Sequence, residues 1–503
     1  MPYLLGIDIG TTNTKAVLYD LEGRMRAPSA PPRTGLASAP TLSVEGALGQ
    51  ATHDPEELYR RACGVIRQVA GQVDDARQVL ALSVSSFGEA GVPLDEQGRP
   101  LYPIIVWHDT RTADAREWWE AHFGWDRLFA ITGLHPHHTY SLSKIMWLRE
   151  HEPEAYRRLA LWLSVSDYIA YRLTGVAAMN YPQACRTLAF DLCRLDWSAE
   201  VLQAAGVEPH IFPRPVPSGQ ALGTLRPQAA ADCGLSEATL VVAGGHDHIC
   251  ASVAAGVTAP GVLLDSIGTA EALLAVLDHL QTDAETRSMG VCCGVHAVPG
   301  RYYLLGGLLG VGPLLSWLLQ TVLQAPETEA GYQALTQAAQ ASPRGANGLY
   351  MLPFLSGAGA PRPSPRATGA YVGLRLHHTR PDMVRAAFEG LCYELRHLLE
   401  SFGEGNRVLR AVGGGARNTF WLQLRADVTG CTIEVPAGTE RGALGAALLA
   451  GVGAGLYESI ASAAAGAYRA EQVYHPDPEA HEEYTERYEH IYRGLHSVAL
   501  MVQ

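Results

Sequence analysis

The chain has 503 residues, of which 47% are hydrophobic and 18% are charged, a composition typical of a compact protein rather than of a disordered chain. This length is more than one hydrophobic core organises, so two or three domains are expected. The net charge of −13 without a basic run argues against a nucleic-acid surface, and nine cysteines without CxxC spacing predict reduced thiols in a cytoplasmic protein.

The first predicted element is a hairpin. Leu4 to Asp20 reads LLGIDIGTTNTKAVLYD, in which two apolar runs are joined by a short turn containing Gly10. The successive N–H groups of such a turn can form an anion-binding nest, and the glycine lets the backbone approach a ligand closely. Asp8 and Lys15 lie on either side of this turn. A β-hairpin with an ordinary polar tip explains these residues equally well, so the turn alone does not establish a phosphate site.

The rest of the N-terminal half alternates helical and strand-like segments. Residues 54–73 have apolar positions at helical spacing and acids in the first turn, where they favour the helix dipole. The apolar runs VLALSVSS (79–86) and PIIVW (103–107) are predicted to be strands. This alternation indicates an α/β sheet with flanking helices.

One uncharged stretch, residues 302–326, is long enough to cross a bilayer. Its interior contains four glycines and Pro313, a pattern that predicts a strand, a glycine turn and a new helix instead. No signal peptide is expected either, because Gly6, Asp8 and Gly10 interrupt the first apolar run. The sequence therefore predicts a protein without a membrane segment.

The second half repeats the plan of the first. Residues 262–278, VLLDSIGTAEALLAVLD, again read as a strand, an Ile-Gly-Thr turn and a second strand. Gly10 and Gly268 lie close to half the chain length apart, which suggests two domains built on one plan. Two such hairpins facing each other across a cleft would present two sets of backbone donors and hydroxyls to one polyphosphate.

A third element, Leu409 to Gly430, combines a strand, the triplet Gly413, Gly414 and Gly415, and a helix. One left-handed glycine would suffice for a strand–helix turn, whereas three remove side chains where a flat ligand could lie against the backbone. We therefore interpret the triplet as part of a nucleotide site. A Walker-type GxxxxGK[ST] is absent, and no GxGxxG opens a helix after a strand, so P-loop and Rossmann interpretations are not favoured.

These motifs together resemble the FGGY carbohydrate kinases, a branch of the actin-like ATPase superfamily that includes xylulokinases and glycerol kinases. The resemblance extends over nearly the whole chain. It rests on GIDIGTTNTK, PIIVWHDTR, SLSKIMWLREHEP, LVVAGGHDH, LLDSIGTAE, AAFEGLCYELR, VGGGARNTFWLQLRADVTG and ALGAALLAG. It implies two actin-like (ribonuclease H-like) domains, residues 1–256 and 257–503, each a mixed β-sheet flanked by helices, with a cleft between them.

The resemblance also implies a catalytic site that uses ATP and Mg²⁺. Asp247 matches the catalytic base, which accepts a proton from the substrate hydroxyl as the oxygen attacks the γ-phosphorus; a structural acid capping a helix is the alternative. Asp8, together with Asp247, matches the acids that hold Mg²⁺. The residues implied to bind the nucleotide are Thr11, Thr12, Lys15, Gly268, Thr269, Gly312, Gly414 and Asn418. His246 and His248 flank Asp247, but nothing else at ligand spacing joins them, so a zinc site is not favoured.

For the substrate side, the resemblance implies a lining of Glu89, Trp107, Asp109, Gln183 and His248. Trp107 offers an apolar face to carbon–hydrogen edges, although ordinary core packing is an equal alternative, and Asp109 is expected to accept hydrogen bonds from hydroxyls. The chain departs from the family pattern at three places: SFGEAG stands where xylulokinases carry Met-His-Gly, GAGAPRPSPRATG replaces Gly-Glu-Arg-Thr-Pro, and Ala270 stands where many relatives have Ser. The first two put D-xylulose specifically in doubt.

The leading hypothesis is therefore a cytoplasmic kinase of small sugars, with a ketopentose such as D-xylulose as the best substrate. Glycerol, L-fuculose, L-ribulose, erythritol and gluconate remain alternatives, and the oligomeric state, including a homodimer, stays open. A second hypothesis is an ATP-driven conformational protein without a sugar substrate, as in actin or heat-shock relatives. A third is a catalytically silent family member, which the presence of both acids and both Gly-Thr turns disfavours. No nucleic acid or membrane partner is expected.

Overall fold

The fold is organised around two mixed β-sheets, one in each half of the chain. A computed structural model describes residues 2–25, 34–403, 405 and 407–501. The strands in chain order are β1 Tyr3–Ile9, β2 Asn13–Tyr19, β3 Leu36–Pro40, β4 Val44–Glu45, β5 Ala51–His53, β6 Val79–Ser86, β7 Gly91–Leu94, β8 Ile104–Ile105, β9 Leu161–Ser164, β10 Ala178–Asn180, β11 Phe190–Asp191, β12 Asp196–Trp197, β13 Arg214–Val216, β14 Ala221–Thr224, β15 Leu240–His246, β16 Val262–Ile267, β17 Glu271–Leu277, β18 Cys292–Val295, β19 Tyr302–Leu308, β20 Tyr350–Leu352, β21 Ala370–Val372, β22 Val408–Val412, β23 Thr432–Pro436 and β24 Ala470–Tyr474.

Helices surround and separate the two sheets. In chain order they are α1 Pro55–Ala70, α2 Ala115–His122, α3 Trp125–Thr132, α4 Ser141–His151, α5 Pro153–Arg157, α6 Val165–Thr174, α7 Tyr181–Ala184, α8 Ala199–Ala205, α9 Pro227–Cys233, α10 Asp247–Ala254, α11 Ala284–Ser288, α12 Val311–Trp317, α13 Glu329–Ala341, α14 Arg380–Ser401, α15 Thr419–Thr429, α16 Arg441–Gly453, α17 Ile460–Ala467, α18 Pro478–Arg487 and α19 Arg493–Met501. Helix α1 begins where its sequence predicts, because the Asp54 side chain accepts a hydrogen bond from the Glu57 amide at 2.9 Å and Pro55 occupies the first turn.

The two large sheets share one topology, as the internal repeat predicts. The first has the order β14-β15-β6-β1-β2-β3, and the second has the order β18-β19-β17-β16-β22-β23-β24. In each, an antiparallel hairpin (β1–β2 or β16–β17) is followed by two parallel strands, β6 and β15 or β22 and β23, and an antiparallel edge strand closes that side. The predicted α/β fold with two actin-like sheets is confirmed.

Helices α10 and α16 lie in the core between the two halves. Although α16 belongs to the second half of the chain, it packs against β1 and β6 of the first sheet and against α10. The approach is close enough to exclude side chains: a Cβ on Gly6 would lie 1.8 Å from the Ala443 carbonyl oxygen, and one on Gly445 would lie 1.9 Å from the Cys250 carbonyl oxygen. The small residues of ALGAALLAG are therefore explained by contact between backbones.

Most predicted elements appear with small changes of length. Strand β6 spans the predicted residues 79–86, whereas the predicted strand 103–107 shortens to β8, which pairs only with β5. The uncharged stretch 302–326 forms β19 and α12 around a glycine turn, as predicted. Within the described ranges, no helix is long and apolar enough to cross a membrane.

Candidate functional site

The two acids predicted to hold a metal ion lie at the carboxyl ends of two parallel strands, β1 and β15, that are separated by β6. Asp8 on β1 is in register with Ser85 on β6, and His246, the last residue of β15, is in register with Ser86. Because the carboxyl ends of parallel strands meet at one edge of a sheet, Asp8 and Asp247 lie at the same edge. The hydroxyl of Ser85 donates to Asp8 Oδ1 at 2.9 Å and bridges part of this edge.

Asp247 is the first residue of α10 and its side chain is 38% exposed. Its Oδ1 accepts the backbone N–H of His248 at 2.6 Å and lies 3.1 Å from Nδ1 of His246. His246 is buried against Gly88, where a Cβ would lie 2.5 Å from the imidazole Cδ2. The carboxylate is therefore oriented in the first turn of the helix, which His246 caps, and is also accessible from outside, a combination that suits a general base.

Asp8 is held in a more enclosed position than Asp247. Burial raises the pKa of the Asp8 carboxyl to about 7, and the negative charge of Asp247 adds to that rise. A Cβ on Gly442, in the first turn of α16, would lie 2.5 Å from Asp8 Oδ1, so the backbone of α16 covers this carboxylate directly. Two acids at one edge, one of them with a pKa raised by burial and by the charge of the other, form an environment that a cation would stabilise.

The first Gly-Thr turn is held on both sides by Thr41. The Thr41 hydroxyl donates to the Gly10 carbonyl at 2.8 Å, and its amide donates to the Thr12 carbonyl at 2.8 Å. The indole N–H of Trp107, which is 45% exposed, donates to Thr11 Oγ1 at 3.4 Å. Trp107 thus lies beside the turn at the surface of the site, and its alternative assignment to core packing is not supported.

Lys15 contacts the second half of the chain. Its Nζ lies 2.7 Å from Oε2 of Glu440, the residue that precedes α16, and the Tyr19 hydroxyl donates to the Glu440 carbonyl at 3.0 Å. The ammonium group therefore has a protein partner in this conformation, and a phosphate would have to compete with that carboxylate.

The second Gly-Thr turn opens onto a cavity of about 930 Å³. The Thr269 carbonyl accepts the Gly312 amide at 2.9 Å, which fixes the turn to the start of α12. Five predicted nucleotide-binding residues line this cavity: Gly268, Thr269, Gly312, Gly414 and Asn418. Those of the first turn, Thr11, Thr12 and Lys15, do not line it.

Each of the three glycines of the Gly-rich turn is explained by a different physical requirement. Gly413 has a φ of 87°, and a Cβ there would lie 2.5 Å from the Ile267 carbonyl oxygen. A Cβ on Gly415 would lie 2.3 Å from the Ile267 side chain, whereas one on Gly414 would have nothing within 4 Å. Packing against β16 thus explains the outer two glycines, while Gly414 leaves open space beside the cavity for a ligand.

Asn418 joins α15 to the opposite wall of the cavity. Its Oδ1 accepts the Trp421 amide at 3.1 Å as the helix cap, and its Nδ2 donates to the Thr336 hydroxyl at 3.0 Å. Thr336 belongs to one polar face of α13 that also lines the cavity, with Glu329, Tyr332, Gln333, Gln337 and Gln340. Sequence reasoning missed this wall, whose only signal is the spacing of polar residues along α13.

A buried ion-pair cluster, which sequence reasoning also missed, joins the second turn to α15. Arg425 donates from Nη1 to Asp265 at 2.8 Å and to Glu271 at 2.8 Å, and from Nη2 to Glu271 at 2.6 Å. The side chains are at most 1% exposed, and the guanidinium lies over the Trp421 ring at 4.4 Å. Asp265 and Glu271 lie on the two strands of the hairpin, so Arg425 fixes the turn between them.

The predicted substrate side contains a strained residue and a partner that the sequence did not identify. Glu89 has a φ of 59°, and its carboxylate pairs with Arg186, whose Nε lies 2.5 Å from Oε1. Although burial alone would raise the pKa of Glu89, the charge of Arg186 holds that pKa below its usual range. Lys144 Nζ donates to the Glu89 carbonyl at 2.8 Å, which helps to keep the strained backbone in place.

Asp109 and Gln183 are buried behind this surface; both oxygens of Asp109 have protein donors, whereas Oε1 of Gln183 has no hydrogen-bond partner among the described residues. Arg111 binds both oxygens of Asp109, at 2.9 and 2.8 Å, and the Ala51 amide donates to it at 2.7 Å. Gln183 is 1% exposed and donates to the Ser86 hydroxyl at 3.0 Å. The expectation that Asp109 accepts hydrogen bonds from substrate hydroxyls is not supported by this arrangement, because its oxygens already have protein donors.

His248 lies next to Asp247 on the outer side. It is partly exposed, and its ring lies 5.5 Å from that of His246 in a stacked arrangement. Among the five residues predicted for the substrate side, the structure thus places Trp107 and His248 at the surface of the site. Glu89 is mostly enclosed by its ion pair, and Asp109 and Gln183 support the others.

Two sheets of one plan, each with a Gly-Thr turn, and a glycine-lined cavity beside the second turn define the actin-like class of ATP-dependent phosphotransferases. The chain belongs to the FGGY family of carbohydrate kinases: residues 3–254 match the model of its N-terminal domain, and residues 264–454 match that of its C-terminal domain. It is therefore a sugar kinase, with ATP as the phosphate donor and a small sugar as the acceptor.

Similar proteins include several sugar kinases. The xylulose kinase of Bacillus subtilis (strain 168) is 30% identical over 501 residues, which cover 99% of this chain and 97% of that one. The L-fuculokinase of Escherichia coli (strain K12) is 30% identical over 487 residues, covering 95% and 98%. The crystal structure of xylulose kinase from Rhodospirillum rubrum superposes with a TM-score of 0.88 at 28% identity and covers 99% of both chains. The conformational ATPase hypothesis therefore loses its support.

Proposed function

We propose that this kinase phosphorylates a ketopentose, with D-xylulose as the best candidate, in the cytoplasm, and that Mg²⁺ is its metal ion. The substrate assignment is supported by the nearly full-length likeness to xylulose kinases. L-Fuculose is the second candidate, since a fuculokinase is as similar in identity. The observation that carries the mechanism is the edge of the first sheet, where an accessible carboxylate at Asp247 lies beside the enclosed Asp8.

The residues at this edge fit a magnesium ion. Asp8 and Asp247 supply carboxylate oxygens, the ligands that Mg²⁺ prefers. Burial, and after it the charge of Asp247, raises the pKa of Asp8, and a bound cation would offset both effects. In this proposal both acids hold the ion, Asp8 through water. When bound, the ion neutralises charge on the transferring phosphoryl group.

Asp247 is the proposed general base. Its carboxylate is held in orientation by the His248 amide and lies at the exposed start of α10, where a sugar hydroxyl can approach within hydrogen-bonding distance. As the hydroxyl oxygen attacks the γ-phosphorus, the proton passes to a carboxylate oxygen of Asp247. Such a base contributes about 10²–10⁴-fold to the rate, and most of the remaining acceleration comes from positioning.

The remaining residues position the two substrates. Trp107 and His248 are proposed to contact the sugar, and Glu89, held by Arg186, to accept hydrogen bonds from its hydroxyls. Asp109 and Gln183 keep the surrounding loops in place.

On the nucleotide side, the cavity beside Gly414 and Asn418 takes the adenosine part, and the turn at Gly268 and Thr269 takes phosphate oxygens. Thr11, Thr12 and Lys15 reach the phosphates when the two halves, 1–256 and 257–503, close on the sugar, and closure also excludes water.

The test compares Asp247→Asn with the control Glu237→Gln, which changes an exposed carboxylate away from the site. ADP release is measured over a panel of ketopentoses, L-fuculose, glycerol, erythritol and gluconate, and ATP affinity is measured by calorimetry. We expect the highest kcat/KM with D-xylulose, a fall in kcat of about 10²–10⁴-fold in Asp247→Asn, and nearly unchanged ATP affinity. Full sugar-dependent turnover in Asp247→Asn would show that the base is assigned wrongly, and preference for another acceptor would reassign the substrate.

A further inference from the structure

A cluster of two imidazoles and a carboxylate joins the last helix to the longest one, away from the sheet edge described above. Glu394 and His397 are three residues apart on α14 and therefore lie on the same face of that helix. His496, from α19, meets both: its Nε2 lies 3.2 Å from Nδ1 of His397 and 3.0 Å from Oε1 of Glu394. One possible ligand atom from each residue lies within 4.8 Å of the other two.

The hydrogen bonds of this cluster converge on one nitrogen atom, Nε2 of His496. The single Nε2 of His496 has two close neighbours, but an imidazole nitrogen either donates one proton or accepts at one lone pair. If it donates to Glu394, it cannot also accept from His397. If it accepts from His397, its lone pair faces a carboxylate oxygen at 3.0 Å. With its proton on Nε2, His496 can serve both neighbours only through one hydrogen bond shared between Glu394 Oε1 and His397 Nδ1, whereas a cation between the three atoms would take a lone pair from each.

The distances are close to those between ligands of a tetrahedral metal ion. Zinc binds nitrogen and carboxylate oxygen at about 2.0–2.2 Å, which places neighbouring ligands of a tetrahedron about 3.3–3.6 Å apart, so a small outward shift of the ligands would admit the ion. The two measured separations are 3.2 and 3.0 Å. Two histidines and one glutamate are also a known zinc ligand set, with water at the fourth position.

The surroundings support ligation as well. The Tyr492 hydroxyl donates to Glu394 Oε1 at 2.8 Å, the kind of outer hydrogen bond that orients a metal-binding carboxylate. The positive charges of Arg362 and Arg493 lie near His397 and act against a cation, but Arg493 pairs with Glu489 at 2.8 Å.

We propose that Glu394, His397 and His496 form a zinc site that ties α19 to α14. This proposal does not depend on which sugar the kinase phosphorylates or on the roles proposed for Asp8 and Asp247. Because its ligands come from two helices far apart in the chain, bound Zn²⁺ stabilises the docking of the C-terminal helix against unfolding.

The test uses the full chain without a histidine tag, stripped with a chelator and then dialysed into excess Mg²⁺ to occupy oxygen-ligand sites. Zn²⁺ binding is measured by calorimetry, Co²⁺ coordination by visible absorption, and thermal unfolding with and without Zn²⁺. We expect one Zn²⁺ per chain, the intense visible bands of four-coordinate Co²⁺, and a higher unfolding temperature with Zn²⁺.

His397→Ala and His496→Gln should each weaken Zn²⁺ binding more than about 100-fold, the upper range for losing an outer-shell partner, and abolish the thermal shift. Tyr492→Phe keeps all three ligands and should weaken binding about 10–100-fold, which provides a test even if a histidine variant fails to fold. His490→Ala, an exposed histidine nearby, is the matched control and should behave as the parent. Absence of binding by the parent, or equal binding by folded ligand variants, would overturn the proposal.

Discussion

The buried cluster of Arg425, Asp265 and Glu271 allows a quantitative prediction for Arg425→Met. Methionine keeps much of the aliphatic volume but leaves two carboxyls without their cation at positions that are at most 1% exposed. Removing one partner from such a buried ion pair costs about 3–5 kcal/mol. Burial and the charge of Glu271 already raise the pKa of Asp265 well above its usual range, so the orphaned acids will bind protons instead of staying ionised.

This protonation gives the destabilisation a specific pH dependence. Without Arg425 the folded-state pKa of Asp265 rises further above its unfolded value. A carboxyl with a raised folded-state pKa destabilises the fold above its unfolded pKa, and the cost grows with pH until the folded pKa is reached. The stability deficit of Arg425→Met should therefore be largest near pH 8 and shrink as the pH falls towards about 5.

The assay is urea unfolding followed by tryptophan fluorescence at several pH values, together with the KM for ATP, which should rise because the hairpin carrying Thr269 is no longer fixed. The control combines Arg425→Met with Asp265→Asn and Glu271→Gln, which removes the orphaned charges and should recover much of the loss. A deficit below about 1 kcal/mol, or one that does not change with pH, would refute the charge argument and leave only lost packing.

Two further predictions concern glycines at the site. Gly414→Val should fold normally, because a Cβ there has nothing within 4 Å, but the valine side chain occupies space beside the cavity. We expect the KM for ATP to rise about tenfold or more, which corresponds to about 1.4 kcal/mol, with little change in stability. An unchanged KM would place the nucleotide elsewhere. Gly442→Ala puts a methyl group 2.5 Å from Asp8 Oδ1 and should lower turnover and raise the Mg²⁺ concentration needed for half-maximal activity; an unaltered Mg²⁺ dependence would remove Asp8 from the metal site.

The elements that sequence predicted well are those determined by local pattern. The hairpins at Gly10 and Gly268, strand β6 and the Gly-rich turn follow from alternating apolar residues and from glycines that the backbone requires. Their shared topology follows from the internal repeat. The sequence also predicted the glycine and threonine residues that line the cavity beside Gly414, because these residues belong to turns whose backbone contacts the cavity directly.

Side-chain pairing between distant segments was not predictable in the same way. Arg425 and Asp265 are 160 residues apart in the sequence, and Arg186 and Glu89 are 97 residues apart. No local sequence pattern predicts that such distant residues form an ion pair. For Asp109 the sequence indicated a polar group near the site but not its direction, and the carboxylate points to Arg111 instead of an open surface. The direction of a side chain depends on packing that a single sequence does not encode locally.

Helix α16 gives the two halves of the molecule a physical connection at the catalytic edge. It belongs to the second half, yet its backbone packs on β1, Gly442 lies against Asp8, and Glu440 before it binds Lys15 at 2.7 Å. A movement of the second half that carries the start of α16 must therefore change the surroundings of Asp8 and Lys15 together. In the proposed function a phosphate competes with Glu440 for Lys15, so nucleotide binding at the first turn would be coupled to release of this contact. Helix α16 therefore links the relative position of the two halves to the surroundings of the charged groups of Asp8 and Lys15.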